Sequence, residues 1–245
     1  MTVSEFSNGF DSLVNSYRRI RSFDNQEATD SIEFNEYEKS FFLTKAQDEL
    51  VRGLYNGRNP LEESFEETEQ LRRYLSNLVM EETLEPIENS AGYPIGISNT
   101  STFFTLPSDL MYITYEAVKL SYRKCDGLSN IEVIPIRQDE YHRVKKNPFR
   151  GVSDRRALRL DLADGVVEIV CKYNVQSYFV RYLRKMCPII LVNLPDGLTV
   201  EDENRVSSCE LHEGLHQRIL ELAVRMALQS KGYRIPRTTQ EQNNN

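Results

Sequence analysis

Leu158-Arg159-Leu160-Asp161-Leu162-Ala163-Asp164-Gly165-Val166-Val167-Glu168-Ile169-Val170-Cys171-Lys172 decides how this chain is read. Leu158, Leu160 and Leu162 alternate with Arg159 and Asp161; Val167, Ile169 and Cys171 alternate with Glu168 and Lys172. A period of two marks strands whose two faces differ in polarity. Asp164-Gly165 between the runs supplies residues that tolerate the positive φ of a tight turn, so a β-hairpin is predicted. Around it, residues 102–106, residues 111–122 and the alternating Tyr178, Val180 and Tyr182 read as further strands, rich in β-branched and aromatic side chains. Residues 138–146 suit a short helix, halted by Pro148.

On either side of this β-rich stretch the period changes to that of a helix. Phe6, Phe10, Leu13, Val14, Tyr17 and Ile20 fall at helical spacing, weakened by Gly9. Asn35 with Glu38 three residues on makes a capping box for a second helix, striped by Phe42, Ala46, Leu50 and Leu54 and ended by Gly57 and Pro60. Ser64 and Glu67 repeat the pattern before Leu71, Leu75 and Leu78. Near the other end, a helix over residues 211–230 carries Leu215, Ile219, Leu222 and Met226 on one stripe and stops at Gly232. The expected fold is α+β: N-terminal helices over 1–80, a central antiparallel β domain over 81–208, and a long C-terminal helix over 209–231. That helix packs back on the N-terminal helices, and an extended polar tail follows over 232–245. The tail is polar enough to stay disordered alone and to order on a neighbouring chain.

Composition narrows the function. A chain of 245 residues with 40% hydrophobic and 27% charged side chains can bury a core. Its net charge of −7 argues against a general nucleic-acid binder. No apolar run approaches membrane-spanning length, and the first residues lack a secretory pattern, so cytoplasmic synthesis is expected. Cys125, Cys171, Cys187 and Cys209 have no Cys-x-x-Cys spacing, which disfavours a thiolate metal site; reduced, buried thiols are expected.

One stretch imitates catalytic machinery. His212-Glu213-Gly214-Leu215-His216 matches HExxH, which on a helix offers zinc two imidazoles and its water a base. A zinc-dependent peptidase using His212, Glu213 and His216 is therefore one alternative. Against it, Gln217-Arg218-Ile219 lacks the extension that would bring a third ligand, Gly214 weakens the helix, and both histidines fall beside Leu215, Ile219 and Ala223. Histidines packed at the edge of an apolar face fit better. His142 has no partner at helical spacing, and no nucleotide-binding glycine motif or serine elbow is present.

Charge offers a second cue. The segment 143–159 concentrates Arg143, Lys145, Lys146, Arg150, Arg155, Arg156 and Arg159, while Glu62, Glu63, Glu66, Glu67 and Glu69 form an acidic run. Such runs are usually solvated faces. Complementarity between copies in a head-to-tail ring is the functional reading, and a DNA-binding accessory protein using 143–159 is another alternative. Phe149 is its single aromatic residue, too little for stacking along a single strand.

Phe34-Asn35-Glu36-Tyr37-Glu38-Lys39-Ser40-Phe41-Phe42-Leu43-Thr44-Lys45-Ala46-Gln47, Asn147-Pro148-Phe149-Arg150, Tyr182-Leu183-Arg184-Lys185-Met186-Cys187-Pro188 and Cys209-Glu210-Leu211-His212 occur in this order. Together they resemble the head–tail connector, or neck ring, proteins of crAss-like tailed bacteriophages, over residues 30–231. The resemblance implies a structural virion protein of the neck, not an enzyme and without a cofactor. It implies a homo-oligomeric ring, usually of twelve copies, beneath the portal protein and beside other ring proteins. Genomic DNA would pass through its lumen without sequence-specific binding. Family members often carry proline where this chain has His212, which makes the HExxH match look accidental. On this reading the candidate subunit contacts are Arg150, Arg155 and Arg156 with Glu62, Glu63, Glu66 and Glu67, and Tyr233, Arg234 and Arg237 of the tail.

Overall fold

A computed structural model describes residues 1–22, 33–57, 68–87, 96–120 and 130–233. It divides into two units, one from Met1–Asn77 with Met186–Asn245 and one from Leu78–Lys185. The fold is α+β, as the sequence predicts.

The first unit is built on helices α1 (Val3–Ser22), α2 (Glu36–Tyr55) and α3 (Glu69–Leu75). The capping box at α2 is present: Glu38 N–H donates to Asn35 Oδ1 at 2.8 Å, and Asn35 N–H to Glu38 Oε2 at 3.0 Å. Ser64 and Glu67 lie outside the described residues; α3 is capped by the side chain of Thr68. The C-terminal helix packs on both α1 and α2, burying Ile219, Leu220, Ala223, Val224 and Ala227 together with Phe6, Phe10, Leu43 and Leu50. Gly9 has its reason here. A Cβ at that position would lie 2.8 Å from Leu220 Cδ2, so the glycine lets the two helices close.

Residues 186–208 belong to this unit, although the expected β domain ran over 81–208. They are held by a polar stripe on α2 that the apolar pattern hid. Thr44 Oγ1 accepts from Ile189 N–H at 3.0 Å, Ser40 Oγ accepts from Leu191 N–H at 3.0 Å, and Gln47 Nε2 donates to Cys187 C=O at 2.9 Å. Spaced four and three residues apart, these side chains share one helix face and satisfy the backbone of an extended neighbour.

The second unit holds β1 (Val79–Leu84), β2 (Ser101–Thr105), β3 (Leu110–Leu120), β4 (Asn130–Pro135), α4 (Tyr141–Lys145), β5 (Arg156–Asp161), β6 (Val166–Val170) and β7 (Val175–Arg184). Their order in the sheet is β1-β7-β3-β4-β5-β6-β2. The predicted hairpin is β5–β6, with Leu158 opposite Val170 and Asp161 opposite Val167. Its turn places Asp164 at φ 56° and Gly165 at φ 71°, the conformations for which Asp-Gly was read. Ile87 N–H donates to Phe103 C=O at 2.8 Å, so the chain leaving one edge strand returns to the other edge.

The sheet is mixed, not wholly antiparallel, because β4 and β5 pair in parallel. Parallel neighbours need a crossover, and α4 lies within it. That helix covers one face, where Tyr141 and Val144 pack on Leu158, Leu160 and Val170. The other face is also buried, with Phe104, Val118, Ile131, Ala157, Val167, Ile169, Tyr178 and Val180 in one cluster. Both faces being covered, the polar half of the alternation is partly internal. Arg159, read from sequence as part of a basic surface, is 11% exposed and binds buried Glu116 through Nη1 at 2.9 Å from each carboxylate oxygen. Tyr178 OH donates to the same carboxylate at 2.5 Å. Burial pushes the Glu116 carboxyl above the usual range, and Arg159 draws it back.

Candidate functional site

HEGLH does not form one helix. His212, with φ −57° and ψ 140°, caps a single 3₁₀ turn over Glu213–Leu215, and the last helix, α5, begins only at His216 (His216–Ser230). The predicted start at 211 is therefore early, by a little more than one turn. His212 Nδ1 accepts from Gly214 N–H at 3.1 Å, and its ring lies 5.5 Å from that of Tyr74. His216 is buried, 5% exposed, with its ring 5.5 Å from that of Phe6. Its Nε2 donates to Leu211 C=O at 2.9 Å, so Nδ1 is the acceptor, 2.6 Å from Met1 N.

Zinc ligation needs imidazole nitrogens free and aimed at one point. Both nitrogens of His216 are occupied, and His212 spends Nδ1 on its own backbone. Among the described residues no group of three or more histidine, cysteine, aspartate or glutamate side chains could hold a metal ion. This geometry gives the zinc-peptidase alternative no support. Burial is the chief cause that lowers the His216 pKa, which fits a packed, neutral histidine. The φ of His212 is close to the value proline fixes, so this backbone also suits proline.

The cysteines are not alike. Cys171 is buried and Cys187 exposed; Cys209 donates from Sγ to Gln47 Oε1 at 3.3 Å, and burial pushes its thiol up to about 11. Cys125 lies outside the described residues.

The basic segment divides into a buried part and a displayed part. Arg159 belongs to the core, and Arg143 pairs with Glu140 at 2.6 Å. Arg156 is half-buried, and its Nη1 donates to the carbonyl of Phe149. Asn147 holds the same loop from the other side. Its Oδ1 accepts from Phe149 N–H at 2.9 Å, and its carbonyl accepts from Gly151 N–H at 2.8 Å. Gly151 is packed under these carbonyls, where a Cβ would stand 2.9 Å from Asn147 O. The result is a pinned loop with Phe149 85% exposed at its tip. Lys145, Lys146, Arg150 and Arg155 are exposed around it in sequence.

Of the acidic candidates, Glu62, Glu63, Glu66 and Glu67 lie outside the described residues, as do Arg234 and Arg237. Tyr233 is described, and its backbone helps close the last helix. Its N–H donates to Leu228 C=O at 3.0 Å while Gly232, at φ 81°, donates to Gln229 C=O at 3.0 Å, the paired bonds that close a helix C-terminus.

An acidic surface that the sequence reading passed over lies in the first unit. Residues 190–207 fold back as a hairpin, with Ile190 bridged to Ser207 and Val200 to Glu203. Its tip turns on Glu201 and Asp202, at φ 50° and 67°. Two positive φ values in succession are the signature of a turn that asks for Asn-Gly, and a side chain there costs about 1 kcal/mol. Carboxylates occupy this strained turn. Asp196, Leu198, Glu201, Asp202 and Glu203 are all exposed, with no basic residue from Pro195 to Asn204.

Comparison with known proteins finds phage ring proteins along nearly the whole chain. The family model for phage tail ring protein 3/4 matches residues 1–239. "Ring protein 3" of Bacteroides phage crAss001 is 46% identical over 234 residues, covering 94% of this chain and 96% of that protein. "Ring protein 4/5" of the same phage is 29% identical over 236 residues, covering 93% and 92%. The chain belongs to the phage tail ring protein 3/4 family, among the ring proteins of crAss-like phages.

Proposed function

We propose that this phage ring protein, a structural component of the virion, forms a homo-oligomeric ring in the neck, joining the portal to the tail and continuing the DNA channel. The observation that carries the reading is the family match along nearly the whole chain, together with a relative named Ring protein 3 at 46% identity. Twelve copies, matching a portal, is the expected number. Head-to-tail closure needs two different surfaces on each copy. Arg150, Arg155 and Arg156 supply a basic one, and Glu62, Glu63, Glu66 and Glu67 are the acidic counterpart proposed from sequence. Tyr233, Arg234 and Arg237 of the polar tail are further subunit contacts proposed from sequence. The protein works by assembly, without cofactor or catalysis. A net charge of −7 suits a channel wall that DNA slides past, because like charge disfavours adhesion. Synthesis in the host cytoplasm and incorporation into the particle complete the reading. Among the described residues no helix is long and apolar enough to cross a membrane.

The test is to count copies of this chain in purified particles by quantitative mass spectrometry. A fixed number equal to that of the portal is expected. Absence from the particle overturns the proposal.

A further inference from the structure

The 147–151 loop has the marks of a preformed contact. Phe149, 85% exposed, is the most exposed large hydrophobic side chain among the described residues, and it is not on a loose segment. Asn147 and Arg156 fix its backbone, so little conformational freedom remains to be lost on docking. Aromatic and arginine side chains in such positions are the usual anchors of protein interfaces. Exposed Lys145, Lys146, Arg150 and Arg155 near it suit an acidic partner surface. The 195–204 hairpin has the matching chemistry: Asp196, Glu201, Asp202 and Glu203 exposed, and Leu198 exposed among them. The loop lies in the second unit and the hairpin in the first, so each copy carries both halves.

We propose that the 147–151 loop of one copy docks on the 195–204 hairpin of the next, Phe149 against Leu198 and the loop's cations against the hairpin's carboxylates. The proposal rests on the ring reading and names the contact that propagates the ring. Two unlike surfaces per copy make the contact heterologous, the kind that generates a ring when its rotation closes. Its ionic part weakens as salt is raised.

The full chain is tested with two variants, Phe149→Asp on the loop and Asp196→Lys with Glu203→Lys on the hairpin. All three positions are exposed, so thermal melts should match the wild type, which separates docking from folding. Native mass spectrometry and sedimentation read the assembly. Wild-type protein should form closed multimers, and either variant alone should need at least about tenfold more protein to do so. An equimolar mixture of the two should give a one-to-one dimer and nothing larger, since one intact loop and one intact hairpin remain to pair. Rings from Phe149→Asp at wild-type concentrations overturn the docking inference and leave the ring reading standing. Assembly lost in both variants without the mixed dimer, or restored by reversing Glu62, Glu63, Glu66 and Glu67, also overturns it. Wild-type protein that stays monomeric at every salt and concentration overturns self-docking, and the particle count then reports separately on the ring reading.

Discussion

The 212–216 segment and the 147–151 loop both attract notice in the sequence, and they use their polar groups in opposite senses. In the first, His212 Nδ1 and both ring nitrogens of His216 meet backbone groups, and His216 is buried against Phe6. His216 has no ring nitrogen left for a metal. In the second, Asn147 and Arg156 turn inward onto the backbone of Phe149, and this leaves the apolar ring pointing at solvent. A motif that looks reactive is used up holding the fold. A loop without a motif is held so that one side chain stands out. What separates them is where the fixed atoms leave the unfixed ones.

Arg159 gives the largest expected effect, because it is the basic residue that behaves like the histidines. Arg159→Ala leaves the Glu116 carboxylate and the Tyr178 hydroxyl without their cation inside the core, and should cost about 3–5 kcal/mol in urea unfolding. Pairing Arg159→Met with Glu116→Gln should recover much of that loss. Arg155→Glu, at an exposed site a few residues away, should stay within about 0.5 kcal/mol of wild type while impairing assembly. Adding Arg156→Glu should impair assembly further by freeing the Phe149 carbonyl. Equal stability losses at Arg159 and Arg155 would erase the distinction between the two regions.

His216 comes next. His216→Ala removes a donor from Leu211 C=O and opens a gap beside Phe6, for a loss of about 1–3 kcal/mol. The pH dependence has a definite sign. Burial lowers the folded-state pKa of His216 below its unfolded value of 6.5, so its contribution is complete above 6.5 and is lost as pH falls through the lowered value. Denaturant midpoints measured from pH 7.5 downward should therefore drop more steeply in wild type than in His216→Gln. Zinc added to the wild-type protein should leave the melting temperature unchanged, whereas a chelatable rise would restore the metal reading.

Much of the architecture was legible because it is written locally. Asn35 and Glu38 announce α2, and Asp164-Gly165 announces the β5–β6 hairpin. Gly9 looked like a flaw in α1 until its contact with Leu220, 211 positions along the chain, explained it. Other features depend on such distant partners throughout. Ser40, Thr44 and Gln47 lie outside the apolar stripe read for α2, yet they hold an extended segment about 150 residues downstream. Arg159 read as surface because strand alternation shows that two faces differ, not whether both are covered. The parallel β4–β5 pair was hidden for a related reason, since strand sequences carry little sign of direction. At the candidate site, the basic half was visible as composition. The acidic hairpin inferred from the structure was passed over, because Glu201-Asp202-Glu203 is a short run and the turn that displays it appears only in φ.

That strain supplies the smallest expected effect and the one that bears most directly on the comparison. Asp202 sits at φ 67° in the second central position of a turn that favours glycine there. Asp202→Gly relieves backbone strain but gives the unfolded chain more freedom, so the net gain should be only about 0.5 kcal/mol. The same change removes one of the hairpin's four carboxylates. If the turn is merely structural, the variant should be slightly more stable and assemble as well as wild type. If the hairpin receives the loop of a neighbouring copy, stability and assembly should move in opposite directions: a higher melting temperature, with closed multimers appearing only at higher protein concentration or lower salt. Measuring both on one sample separates the two, because no loss of folding can stand in for the loss of assembly.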